Sequence, residues 1–196
     1  MVELILAMTV VAIVLAGVAA VAFALSSARD QTGEVSRKQA HLRHAMVQLG
    51  ETIRNAKLVC HSSDSEVVLW KSDSNRDGRM NINEMASIRI VSGGTQVSLG
   101  YFAAAGNPEV EISEVTDYSG RWWQAFGATA SEAVILPECS GATIFTDAAA
   151  PHTRYVSLAF SMMLDNQIAS NSISGRLGGN ALNLLDSNGT IVSDDD

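Results

Sequence analysis

The sequence predicts an α+β chain. A long N-terminal helix, membrane-spanning at first and amphipathic after that, packs against an antiparallel sheet head. Three observations carry this prediction. The 22 residues from Leu4 to Leu25 hold no charge, and Thr9 is their one polar side chain. From Leu42 onward, apolar residues recur at helical steps. From residue 65 the apolar period changes to two, which is the spacing of a half-buried strand.

The first 25 residues read as a retained membrane anchor. As a helix, the uncharged run spans about 33 Å, enough for a hydrocarbon core of ~30 Å. A cleaved secretory signal has a basic start and a shorter apolar core. Here the first basic residue is Arg29. The second half of the run is rich in small residues, with Ala16, Gly17, Ala19, Ala20, Ala22 and Ala24. Small side chains let helices approach closely in lipid. Glu3 stands ahead of the run, where the helix dipole and unpaired amide protons favour an anion.

Residues 26–60 read as an amphipathic stalk helix. Leu42, Met46, Leu49, Ile53, Ala56 and Cys60 follow one another at steps of 4, 3, 4, 3 and 4, which puts them on one stripe. The stripe fits a coiled-coil seam or the ridge on which a sheet packs. Gly33 and Gly50 lower helix propensity without forcing a break.

Residues 61–196 read as a β-rich head. Val67 to Trp70, Ile88 to Ile90 and Gln96 to Tyr101 are strands, the last two separated by a turn at Gly93-Gly94. Val110 to Val115 and Ala133 to Leu136 are further strand candidates. Residues 120–131 suit either strand or helix. In a strand, one of Trp122 and Trp123 would face the core and the other outward, where cover by a loop fits better than a contact surface. Tyr155 to Leu164 alternates cleanly, with Val156, Leu158, Phe160, Met162 and Leu164 on one face. Asp165-Asn166 makes the turn and Gln167 to Leu177 returns. Ala181 to Leu185 and Thr190 to Val192 suggest a last short hairpin around Asp186 to Gly189. The Asn188-Gly189-Thr190 sequon is better explained as part of that turn. The three final aspartates read as a solvated end.

The sharpest chemical motif is Asp73-Ser74-Asn75-Arg76-Asp77-Gly78-Arg79-Met80-Asn81-Ile82-Asn83-Glu84. It matches the calcium-loop pattern D-x-[DN]-x-[DN]-G-x5-E at every specified position. A hard cation wants six to eight oxygens. Asp73, Asn75 and Asp77 can each turn one oxygen inward, and Gly78 permits the reversal. The Arg79 carbonyl adds an oxygen, Asn81 could hold a water, and Glu84 could close the shell with two oxygens. The flanks are strand-like, so this is not an EF-hand pair. The expectation is a structural calcium site in loop 73–84.

Other chemistry is sparse. The net charge is −8 and no basic stripe is visible, which argues against a nucleic-acid backbone partner. No P-loop, G-x-S-x-G, H-E-x-x-H or dinucleotide fingerprint occurs. His41 and His44 share a helix face without a third ligand, and His61 and His152 are isolated. Asp147 and His152 near Ser157 are weak grounds for a triad. The chain is expected not to be an enzyme.

The N-terminus resembles that of type IV prepilins and type II secretion pseudopilins. The mature start there reads F-T-L-x-E-L before an apolar run, after a short basic leader ending in Gly. Met1, Val2, Glu3 and Leu4 match the third to sixth residues of that pattern. Leu6, Val10, Ile13 and Leu15 then fall in the hydrophobic assembly helix. The leader and the first two mature residues are missing, so the expectation is a start codon placed late or a trimmed chain. The resemblance implies a pilin-like fold and a structural subunit, minor or at the tip, of a pseudopilus or pilus-like filament. It implies an assembly role for Glu3 toward the N-terminal amine of a neighbouring subunit. Its partners would be other subunits of the filament, membrane lipid, the inner-membrane assembly machinery and a prepilin peptidase acting on the missing leader. It places a single-pass helix in the inner membrane with the head in the periplasm. Arg29, Arg37, Lys38 and Arg43 follow the anchor and alone would favour the opposite orientation. The missing basic leader would counter them. In an exported head, Cys60 and Cys139 permit one disulfide from the helix end to the far part of the head, or two separate buried thiols. The alternative function is a membrane-anchored, calcium-stabilised binding or adhesin module acting alone.

Overall fold

The computed structural model describes residues 2–116, 121–164, 167–179, 181–186 and 191. It is α+β, with a long N-terminal apolar helix and antiparallel sheets. Helix α1 runs Val2–Arg54. The chain forms two compact units, Met1–His41 and Leu42–Asp196.

In the first unit the stretch Val2–Ser27 is apolar and none of it is buried, with a mean hydropathy of 2.8. Its large apolar side chains are between 54% exposed, at Val10, and 81% exposed, at Val2. A core helix of a soluble domain would hide such residues. This helix is long and apolar enough to cross a membrane. Its polar side chain is satisfied internally: the Thr9 hydroxyl lies 2.9 Å from the carbonyls of both Ile5 and Leu6. That local bonding is what hydrocarbon surroundings demand.

In the second unit, α1 from Leu42 buries Leu42, Ala45, Leu49 and Ile53, with Met46 half-buried beside them. The stripe is therefore a ridge under sheets. The helix ends at Arg54, short of the expected residue 60. Asn55 still donates to the Glu51 carbonyl, and Ala56 tightens onto Ile53. Lys57 then donates to the Trp70 carbonyl and enters a sheet. Leu58, Val59 and Cys60 are buried on both sides of a strand, β1 (Leu58–Ser62). Cys60 sits four residues after Ala56, so the helical spacing ran past the true end. Gly178 and Gly179 donate to the Ala56 carbonyl where the helix leaves off. A Cβ on Gly178 would lie 2.7 Å from the Arg54 carbonyl oxygen, and one on Gly179 would collide with Lys57.

The first sheet is an antiparallel meander of β1, β2 (Glu66–Trp70), β3 (Met85–Val91), β4 (Gln96–Ala103) and β5 (Thr129–Leu136). Along β2 both of its faces are covered. Val67 and Leu69 point to the cluster that holds α1, while Val68 and Trp70 point to a second cluster. That is why VVLW reads as a continuous apolar run. A second antiparallel sheet comprises β6 (Ser140–Thr146), β7 (Tyr155–Leu164) and β8 (Gln167–Arg176). Val156, Leu158, Phe160 and Met162 face the α1 cluster, matching the alternation. The first cluster thus joins α1, one face of the meander and the inner face of the second sheet.

The second cluster lies on the other face of the meander. It is closed by Met80 and Ile82, by α2 (Ile112–Thr116), by a 3-10 turn at Trp122–Phe126 and by α3 (Ala181–Leu184). Two expectations are corrected here, one open point is resolved, and two further strands appear. Residues 110–115 form no strand: Glu109 makes one bridge to Asn81 and the chain then turns into α2. Trp122 and Trp123 are both buried, because the tight turn aims consecutive side chains at Phe102, with ring centroids 4.9 and 5.2 Å away. Ala181 to Leu184 is helical, and of the last hairpin the bridge Leu185 to Ile191 forms. The strands β1 and β6 had no counterpart in the sequence reading. The Asp165-Asn166 turn, residues 187–190 and the aspartate end lie outside the described residues.

Candidate functional site

Loop 71–84 joins β2 to β3, and its base is closed by the Lys71 N–H donating to the Glu84 carbonyl (2.9 Å). Its acidic side chains are organised by backbone donors. The Asp73 carboxylate accepts from the N–H groups of Asp77 (3.2 Å) and Gly78 (2.9 Å). Asn75 Oδ1 also accepts from Asp77 N–H (3.1 Å). The Asp77 carboxylate accepts from Arg79 N–H (2.8 Å), Asn75 Nδ2 (2.7 Å) and Asn81 Nδ2 (3.0 Å). The Asn81 amide, the Arg79 N–H and the Asn75 amide, with the Arg79 charge, hold the Asp77 carboxyl below the usual carboxylate range. Gly78 has φ +70°, the left-handed value the motif reserves for glycine.

Glu84 is the buried member, 1% exposed. Its Oε1 accepts from Ser74 N–H (2.6 Å), Ser74 Oγ (2.8 Å) and Asn75 N–H (3.3 Å). Its Oε2 faces Trp70 Nε1 at 3.4 Å. The carboxylate that ends the motif therefore folds back over its start.

The second half of the loop is strapped to the segment after β4. Met80 accepts from Val110 N–H (2.8 Å), and Ile82 donates to the Pro108 carbonyl (3.1 Å). Asn83 accepts from Ala104 N–H (2.7 Å), and its own N–H donates to Asn107 Oδ1 (3.0 Å). Arg79 pairs with Glu109 at 2.7 Å, with both side chains more than half exposed. Asn83, Asn107 and Glu109 were not singled out in the sequence. Their partners are 21 to 30 residues away, and no local motif marks them.

The donor types suit a hard cation, since Asp73, Asn75, Asp77, Asn81, Glu84 and the Arg79 carbonyl offer oxygens alone. The structure brings Asp73, Asn75, Asp77 and Asn81 together through the bonds above. Glu84 is held apart, on Ser74 and Trp70. Among the described residues, no three His, Cys, Asp or Glu side chains gather as a metal-binding group. The arrangement holds the ligand types in one loop with the closing carboxylate turned to backbone donors.

The remaining expected sites stand separately. Glu3 lies exposed in the first turn of α1. Cys60 and Cys139 are separate buried thiols rather than a disulfide. Cys60 belongs to the second cluster, with its Sγ 3.2 Å from Met80 Sδ, while Cys139 belongs to the first. The alternation of β1 turns Cys60 away from the α1 side, so a disulfide would have to pass through the sheet. Burial pushes the Cys60 thiol up to about 12 and raises that of Cys139. Asp147 accepts from the N–H groups of Arg154 (2.9 Å) and Tyr155 (3.0 Å), which turns it to the backbone and lowers its pKa.

A polar row crosses the meander where the aromatic cover ends. Glu66 pairs with Arg89 at 2.7 Å, Arg89 Cζ sits 5.3 Å from the Trp123 ring centroid, and the Ser98 hydroxyl bonds Glu132. The row depends on strand register, Glu66 opposite Arg89 and Arg89 opposite Ser98, which single positions do not reveal.

No protein-family model, no curated protein and no solved structure matches the chain.

Proposed function

We propose that the chain is a pilin-like structural subunit, minor or at the tip, of a type II secretion pseudopilus or type IV pilus-like filament. The observation that carries this reading is helix α1. It has 53 residues; its first half is apolar and fully exposed within one copy, and its last turns are a core ridge of an antiparallel head. An exposed apolar helix of this length needs lipid before assembly and neighbouring helices after it. Its small residues from Ala16 to Ala24 suit close helix packing. Glu3, in the first turn, would take the amine of the next subunit. The head would sit in the periplasm and the helix in the inner membrane until incorporation. The function is structural rather than catalytic.

Loop 73–84 would hold one structural calcium ion, with Asp73, Asn75, Asp77, the Arg79 carbonyl, Asn81 and Glu84 as its oxygens. The support is the full motif match and the Asp73 and Asp77 carboxylates fixed by backbone N–H groups of the same loop. Binding would draw Glu84 off its backbone donors.

The coding sequence upstream of Met1 tests the family reading. An in-frame basic leader ending in Gly-Phe-Thr immediately before Met1 is the expected result. A true start at Met1 would favour the lone anchored binding module instead.

A further inference from the structure

Ser74 stands at a position for which the motif of loop 73–84 specifies no residue, yet it gives Glu84 two of its hydrogen bonds. Glu84 is the one buried carboxylate of the loop, 1% exposed. Among the described residues it forms an ion pair with no Lys, Arg or His. A carboxylate taken out of water is costly without a counter-charge or a full set of donors. Here donors take that place. Three of them converge on Oε1: Ser74 N–H at 2.6 Å, Ser74 Oγ at 2.8 Å and Asn75 N–H at 3.3 Å. The fourth, Trp70 Nε1, lies 3.4 Å from Oε2. An ionised carboxylate has about two lone-pair sites on each oxygen. Oε1 is therefore saturated, whereas the last residue of such a loop gives the cation both of its oxygens. Of the four donors, the Ser74 hydroxyl is the one released at least cost, because Ser74 is exposed and water can take it up.

We infer that Ser74 sets the calcium affinity of the loop: it holds Glu84 in a closed position that the ion has to open, a role that rests on the calcium reading of loop 73–84. A site whose competent arrangement makes up a fraction f of the empty protein binds with its Kd raised by 1/f. The Ser74 hydroxyl lowers that fraction. Its bond to Oε1 exists while Glu84 is closed and is given up when Glu84 turns to the ion. In the filled loop the exposed hydroxyl bonds water and takes nothing from the ion. Removing it therefore weakens the empty loop and tightens calcium. One hydrogen bond to a charged acceptor sets the scale at about tenfold in affinity. Trp70 reports the opening. Its side chain is fully buried in the second cluster and its Nε1 faces Oε2, so the indole proton loses its partner when Glu84 leaves.

The test is calorimetric titration of the full chain in detergent micelles with calcium alone, on wild type, Ser74→Ala, Ser74→Thr and Glu84→Gln. Ser74→Ala should bind about tenfold tighter than wild type. Ser74→Thr keeps a hydroxyl and should bind as wild type does. Glu84→Gln removes the closing charge and should bind more weakly than the other three. In parallel, the Trp70 indole N–H resonance, assigned with Trp70→Phe, should move as calcium fills the wild-type loop. Circular dichroism checks that each variant is folded. Calcium binding by wild type, with Ser74→Ala no tighter, overturns the role of Ser74 and leaves the calcium site standing. So does calcium binding with a Trp70 resonance that stays in place, or with Glu84→Gln as tight as wild type. Binding by Ser74→Ala but not by wild type supports the role, since the closed Glu84 then outweighs the ion. No calcium bound by either chain refutes the calcium reading itself, and the Ser74 role with it.

Discussion

Glu84 is 1% exposed, and its oxygens take the Ser74 and Asn75 amides, the Ser74 hydroxyl and the Trp70 indole. A buried charge with several donors is costly to lose, because each donor is left without an acceptor. Glu84→Ala should therefore destabilise the head by about 2–4 kcal/mol. Arg79→Ala removes an exposed ion pair and should change stability by no more than about 1 kcal/mol. Urea unfolding of both variants measures the contrast. Equal effects would mean that Glu84 does not organise the loop. Glu84 was legible as a motif position, but its partners were not. The pattern of acidic spacing says which oxygens are available, and the fold decides which hydrogen bonds occupy them. The cysteines show the same limit: their even count permitted a pair, and strand alternation put them in different clusters.

Element boundaries were clearest where one period runs without competition. Tyr155–Leu164 forms the strand its alternation describes, and Leu42 to Ile53 forms a ridge, one of the two readings its stripe left open. The helix end was misread because Ala56 and Cys60 continue the helical spacing while occupying a turn and a two-faced strand. Residues 120–131 were open between strand and helix; a strand would turn one of Trp122 and Trp123 outward, whereas the 3-10 turn puts both rings under cover. Loop 73–84 supplies the prediction at this scale. If calcium binds the folded form alone, it adds RT ln(1 + [L]/Kd), about 2.7 kcal/mol at a hundredfold excess over Kd. Melting should rise and saturate with calcium and respond far less to magnesium, which keeps its waters. Asp73→Ala with Asp77→Ala should remove the shift. Identical melts with chelator and with calcium, and no bound calcium by metal analysis, would reduce the loop to a hydrogen-bonded acidic turn.

For the whole molecule, the sequence separated an apolar N-terminal helix from a sheet-rich remainder, and the structure bears out that division. The two-sheet arrangement was not legible, because β6 lacks the alternation of β7 and the order of strands depends on long-range register. Under the proposed function, the exposed apolar helix and Glu3 serve assembly into a filament. The direct measurement is incorporation of Glu3→Gln, made in the full-length precursor, into sheared and sedimented filaments, with circular dichroism of the head alongside. Incorporation is expected to fall sharply while the head spectrum is unchanged, since Glu3 lies exposed in the first turn of α1. Incorporation equal to wild type, with a normally folded head, would contradict it.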